Sequence, residues 1–243
     1  LEDRTGALTI REASSPEMAD RYVPCRTESP SFGFNSTDYW VRFSVTNTLP
    51  RDDRWFLELE YPHMDVFEAY YKDRDGSYMR KQTGDIYKFD RRELRYRNFV
   101  FSIAVPRGKS LTVYLHFAGS CSKQFPLTLW SPEAFAEKAI NEKLLLGVYY
   151  GIIIVMMCYN LILFFFIRDR SYLLYVIYIA TYGMVQMAYN GMAFEYLWPD
   201  LPWWHRVSLP FLIGLAILWM AIFTQSFLHL WDKARAMFWS MVA

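Results

Sequence analysis

Residues 131–167 read SPEAFAEKAINEKLLLGVYYGIIIVMMCYNLILFFFI, and this passage decides the fold. Ser131 can cap a helix, Pro132 suits its first position, and Glu133 faces the positive end of the helix dipole. The pattern runs on through Ala136 and Ile140 into Leu144, with no Gly or Pro before Gly147. From Leu144 to Ile167 there is no charge. At about 1.5 Å per residue such a run covers about 36 Å, enough to cross roughly 30 Å of hydrocarbon. A single helix is therefore expected from 132 to 167, its first turns in water and the rest in lipid.

Two more charge-free runs follow, Ser171–Phe194 and Val207–Leu230. Of the 26 basic and 25 acidic side chains, only Arg168, Asp169, Arg170, Glu195, Asp200 and Arg206 fall within 144–230, all of them between the runs. Helices buried in soluble cores rarely stay uncharged for so long, so spans are expected near 144–167, 171–194 and 207–230. Basic residues in short loops mark the cytoplasmic side. Arg168 and Arg170 follow the first run and Lys233 and Arg235 the third, whereas Arg206 stands alone after the second. The N-terminal half is thus expected outside, although Lys138 and Lys143 weaken the asymmetry. Tyr196, Trp198, Trp203 and Trp204 crowd the outer connection and suit the headgroup layer. Pro199 and Pro202 are expected to prevent a regular helix there, and a ligand pocket is the alternative use of these rings.

Working toward the N-terminus, the pattern changes to a period of two. Tyr39, Val41, Phe43 and Val45 share one face of a strand, with Arg42 and Ser44 on the other. Trp55, Leu57 and Leu59 alternate with Phe56, Glu58 and Glu60; Phe99–Val105, Leu111–Phe117 and Phe125–Leu129 repeat the pattern. Asp73-Arg74-Asp75-Gly76 and Pro106-Arg107-Gly108-Lys109 read as hairpin turns, the first between strands at 65–72 and from 77, the second between 98–105 and 110–118. Short strands at this spacing, with no helical alternation between them, predict an antiparallel sandwich over 1–131 followed by a helical membrane domain over 132–243. The fold class is α+β.

A net charge of +1 with no extended basic patch gives no reason to expect nucleic acid as a partner. Cys25 and Cys121 in the soluble half either pair or remain separate thiols, and Cys158 lies in the first span. The four histidines, His63, His116, His205 and His229, show no ligand spacing. Neither a Gly-rich phosphate loop nor a nucleophile elbow occurs. No catalytic residue, cofactor or metal is therefore expected, and this segment is not expected to be an enzyme. The start at Leu1 without a basic-then-apolar leader, and the end where Met237-Phe238-Trp239 turns apolar again, suggest a fragment cut at both ends.

The order of several motifs resembles a known family. Leu1-Glu2-Asp3, an edge strand expected at Leu8-Thr9-Ile10, Phe32-Gly33-Phe34, Tyr39-Trp40-Val41-Arg42-Phe43-Ser44-Val45-Thr46-Asn47, Ser131-Pro132-Glu133 and Ile167-Arg168-Asp169 occur in sequence. Together they are similar to the bacterial seven-transmembrane receptors with diverse intracellular signalling modules (7TMR-DISM), carrying the second type of extracellular domain. The resemblance implies a periplasmic jelly roll that binds carbohydrate-like or other small ligands. In complete members a seven-helix domain of the inner membrane leads to a cytoplasmic cyclase, kinase or phosphatase.

Candidate site residues follow from the strand pattern. The face opposite the main apolar positions is expected to carry Trp40, Arg42, Glu58, Tyr70, Tyr114 and His116. Rings beside charged donors could hold a sugar by stacking and hydrogen bonding. The alternative is that some of them pack between sheets and the rest are solvated. Tyr87, Arg91, Arg92, Arg95, Tyr96 and Arg97 form a basic, aromatic stretch, either an anion site or an exposed loop. Gly147 and Gly151 permit close helix approach within one bundle or, as the other reading, in a homodimer. Asn160, Gln186, Asn190 and Gln225 are expected to face other helices. Partners expected are thus the lipid bilayer, a carbohydrate or other small molecule, and a second copy of the chain. The leading expectation is a receptor-like signalling protein. Its alternatives are a membrane-tethered carbohydrate-binding protein without output, and a transporter, which the absence of acids or bases inside the spans disfavours.

Overall fold

Alternation along the chain becomes strands where expected, with the short helices as the exception. The computed structural model describes residues 1–27, 29–49, 53–73 and 75–228. Arg74, His229, Lys233, Arg235, the Met237-Phe238-Trp239 segment and the last two residues of the third apolar run lie outside the described residues. In chain order the elements are β1 (Glu2–Asp3), α1 (Ile10–Ala13), α2 (Pro16–Ala19), β2 (Ser31–Asn35), β3 (Asp38–Thr46), β4 (Asp53–Leu59), β5 (Val66–Lys72) and β6 (Tyr78–Thr83). Then come β7 (Phe99–Val105), β8 (Ser110–Ala118), β9 (Cys121–Gln124), β10 (Leu127–Trp130), α3 (Pro132–Ile167), α4 (Arg170–Tyr189), α5 (Met192–Tyr196) and α6 (Pro202–Leu228).

All strand pairs are antiparallel. A five-stranded sheet runs β1-β3-β8-β5-β6, a three-stranded sheet β10-β4-β7, and β2 pairs with β9. Leu57, Leu59, Phe99, Phe101 and Ile103 from the smaller sheet meet Phe67, Ala69, Val113, Leu115 and Phe117 from the larger in one buried core. Phe117 stacks between Phe67 and Phe125, with ring centroids 5.0 and 4.1 Å away. Such aromatic pairs contribute about 0.5–1.5 kcal/mol each beyond their buried area.

The edge strand expected at Leu8-Thr9-Ile10 does not form. Thr9 instead caps α1: its amide donates to Glu12 Oε2 at 2.7 Å, and the Glu12 amide donates back to Thr9 Oγ1 at 3.4 Å. A Thr three residues before a Glu is a capping box, and it competes with strand formation. The edge is taken by Glu2–Asp3 against Asp38 and Tyr39.

The chain divides into two compact units, one of Leu1–Lys138 with Gly191–Arg206 and the other of Ala139–Asn190 with Val207 onward. In the second unit, three helices are long and apolar enough to cross a membrane. α3 is unbroken over 36 residues, with the Ala134 amide donating to Ser131 Oγ at its start. The second span is shorter than the apolar run implies. α4 ends at Tyr189 and Gly191 adopts φ +74°, in a place where a Cβ would lie 2.8 Å from Pro62 Cβ. The 20 residues of α4 still reach about 30 Å. Pro202 does not block a helix but opens α6, where its missing N–H costs nothing.

Candidate functional site

Register across the larger sheet builds two rows of side chains on its outer face. Trp40, His116, Glu68 and Gln82 stand opposite one another, and Arg42, Tyr114, Tyr70 and Arg80 form the next row. Five of the six expected residues therefore share one surface. Trp40 stacks on His116 at 4.5 Å and lies 5.7 Å from Tyr70. Glu68 accepts from Tyr70 Oη at 2.7 Å, from Gln82 Nε2 at 3.0 Å and from Arg80. His116 bridges two carboxylates, with Nδ1 3.0 Å from Glu68 Oε2 and Nε2 3.3 Å from Asp38 Oδ2. Burial works against the His116 charge, but hydrogen bonds to Asp38 and Glu68 outweigh it and push its pKa up to about 9. Burial likewise opposes ionisation of Glu68, yet His116, Arg80 and Tyr70 hold it down at about 2. The face is a charged, hydrogen-bonded plate at neutral pH.

That plate is not open to a sugar over Trp40. Ala13, Trp40 and Tyr114 form a second small core, with Leu1, Leu8, Ile10 and Tyr22 packed on it. The α1–α2 segment thus covers the ring, leaving Trp40 only 2% exposed. The accessible feature is a cavity of about 600 Å³ beside it, lined by Tyr22, Phe32, Val41, Arg42, Leu127 and Thr128 among others. It lies along the open side of the sandwich, where β3 runs past the two-residue β1 and β10 is the edge of the smaller sheet. Arg42 reaches over the Tyr22 ring at 4.6 Å. The Cys25 thiol is exposed, Cys121 is buried and Cys158 is exposed; all three are free.

Glu58 does not belong to the plate. It sits in β4, on the outward face of the smaller sheet, and is fully buried. Its Oε1 accepts from Asn98 Nδ2 at 2.7 Å; its Oε2 accepts from Trp130 Nε1 at 2.8 Å and from Lys138 Nζ at 2.6 Å. Lys138 also bonds Glu60 Oε1 at 2.7 Å. One turn earlier, Phe135 is wedged against Phe56 and Tyr96. Period two gave the correct face within β4 but carried no information about which sheet holds the strand. The residues that sequence reasoning missed are Glu68, one step of two from Tyr70 on the same strand, and Lys138, one helical turn from Phe135.

The basic stretch separates into parts. Arg92 is buried, donating to the carbonyls of Tyr96 at 3.0 Å and Arg97 at 2.6 Å, with its guanidinium over Phe89 and Phe99. It cannot meet a solvent anion there. Arg91 and Arg95 are exposed. The outer connection is not simply a headgroup loop either: Phe89 packs on Phe194, and the Phe89 amide donates to Pro199 O at 2.9 Å.

In the helical unit, Asn190 Nδ2 donates to Tyr150 Oη at 3.2 Å, joining α4 to α3 as expected of an intramembrane amide. Asn160 instead donates to the Met156 carbonyl of its own helix at 2.9 Å, and Gln186 is half-buried. Apart from the neighbouring turns of their own helix, no described atom lies within 4 Å of a Cβ placed on Gly147 or Gly151. The close approach falls at Gly183, where Ile153 Cγ2 would be 3.4 Å from a Cβ.

Residues 1–131 match the family model described as 7TMR-DISM extracellular 2, and residues 142–243 match 7TM diverse intracellular signalling. The chain belongs to the 7TMR-DISM family. No curated protein matches it. As a 7TMR-DISM protein it is a multi-pass membrane protein of a receptor-like signalling family, with an extracellular domain ahead of its spanning helices. Attachment of Gly191–Arg206 to the sandwich unit is consistent with that arrangement: after two crossings, the connection returns to the side from which the first span started.

Proposed function

We propose that this protein senses a carbohydrate-like or other small ligand in the bacterial periplasm, through its sandwich, a jelly roll in this reading. The signal passes across the inner membrane to a cytoplasmic output module. The ligand enters the cavity of about 600 Å³ on the open side of the sandwich, a volume within the usual range for small-molecule sites. Arg42, Thr27 and Thr128 supply polar groups, and Tyr22, Phe32 and Tyr39 supply rings. These 243 residues bind and transmit; they catalyse nothing.

One observation carries this reading. The helix whose second turn is locked into the sandwich by Glu58 and Lys138 is itself the first membrane span, with no linker between. A shift of β4 must therefore move the base of α3. A ligand can bias such a system only by its difference in affinity for two arrangements. The test inserts two glycines between Glu137 and Glu142 in the full receptor. Binding of a panel of mono- and oligosaccharides is expected to be unchanged and the ligand-dependent output lost. Retained output in that variant would remove the mechanism.

A further inference from the structure

Three side chains distant in sequence converge within the sandwich unit. His63 comes from the β4–β5 connection, Asp85 from the residues just after β6, and His205 from the first turns of α6. One ligand-capable atom from each lies within 4.8 Å of the others. The loops are held in place by their backbones: the Asp85 amide donates to Met64 O at 2.9 Å, and the His205 amide to Leu201 O at 3.0 Å. Gly84 permits the approach, since a Cβ there would collide with the Asp65 carbonyl. His205 is also oriented by its rings, stacked on Phe194 at 4.2 Å and on His63 at 5.4 Å.

Asp85 is only 3% exposed, and its Oδ1 has no hydrogen-bond partner among the described residues. Arg206 lies nearer Asp65, 3.8 Å from Oδ1, and Arg92, whose charge is felt at Asp85, donates through Nη1 to the carbonyls of Tyr96 and Arg97 and makes no hydrogen bond to Asp85 among the described residues. A buried carboxylate oxygen left without a donor is costly unless a positive charge meets it. Two imidazoles and one carboxylate suit first-row transition cations, whereas calcium and magnesium take oxygen ligands. With metal–ligand distances of about 2.0–2.1 Å, closure of the three donors by about 1 Å completes the set. We propose that His63, Asp85 and His205 bind one divalent transition cation of zinc type, which pins the 191–206 connection to the sandwich. The inference is independent of the sensing reading above.

The test is zinc titration of the detergent-solubilised chain by calorimetry, with cobalt absorption as a second probe and thermal melting as a third. The wild-type protein is expected to bind one equivalent, to melt at a higher temperature with zinc, and to give cobalt d–d bands. Asp85→Asn preserves shape and His205→Phe preserves the ring stack on Phe194; each is expected to weaken binding at least tenfold and to lose the zinc-dependent rise in melting. His63→Gln, at a half-buried position, decides the matter if either of these fails to fold. Absence of binding in the wild type, or equal zinc affinity in Asp85→Asn and His63→Gln, overturns the proposal.

Discussion

Glu58 has no exposed surface and three donors that make it tolerable, Asn98, Trp130 and Lys138; Glu60, which shares the lysine, works against its charge. Removing one partner from a buried pair typically costs about 3–5 kcal/mol, because the other charge is stranded. Lys138→Met is therefore expected to destabilise the sandwich by about that amount, read as a lowered denaturation midpoint, while Lys143→Met leaves it unchanged. Trp40 fills space under the N-terminal segment, so Trp40→Ala is expected to cost about 3–5 kcal/mol in the same assay. A free-energy change below about 1 kcal/mol would show the ring to be a surface group after all. His116 adds a pH dependence. Its pKa rises from the usual 6.5 to about 9 on folding, so its contribution is complete below pH 6.5 and is lost as pH climbs through 9. Such a shift corresponds to about 3 kcal/mol. The melting difference between wild type and His116→Gln is expected to be largest near pH 6 and to shrink toward pH 10; a constant difference would contradict the ion-pair account. Trp40, Arg42, Tyr70, Tyr114 and His116 could be placed on one face from alternation alone. That Leu8, Ile10, Ala13 and Tyr22 pack over Trp40 and Tyr114 could not, because nothing in a period-two pattern says what lies above a sheet.

Elements were most legible where a local rule and the tertiary environment agreed. β3, β4, β7 and β8 occupy the alternating stretches, and α3 begins at the Ser131-Pro132-Glu133 signal and ends where the apolar run ends. The failures have physical causes of two kinds. At Thr9 a capping box was present in the sequence and prevailed over the apolar Leu8 and Ile10; Thr9→Ala is expected to cost about 1 kcal/mol, measurable as faster amide exchange in 10–13 with the rest of the chain unaffected. At Gly191 the local composition favoured a longer span, but the backbone there takes φ +74° and lies against Pro62 and Arg97, far away in the chain. The His63, Asp85 and His205 cluster is of this second kind, since no spacing rule joins a strand connection to the start of a distant helix.

Across the whole molecule, an extracellular sandwich precedes spanning helices, and the first of these helices starts inside the sandwich unit. Charge segregation along the chain makes that division legible from the residues alone: polar alternation needs water on one side, and long uncharged runs need lipid. The structure adds that α3 is unbroken across the division. Phe135 and Lys138 belong to the sandwich by contact and to the first span by helical continuity. The most direct test is hydrogen exchange of the amides between residues 132 and 146 in the lipid-reconstituted protein. Protection is expected to persist without interruption from Phe135 through Leu145, and to collapse between 138 and 143 when Lys138 is replaced by Met. An unprotected stretch at 139–143 in the wild type would mean a hinge, and a hinge there contradicts the account.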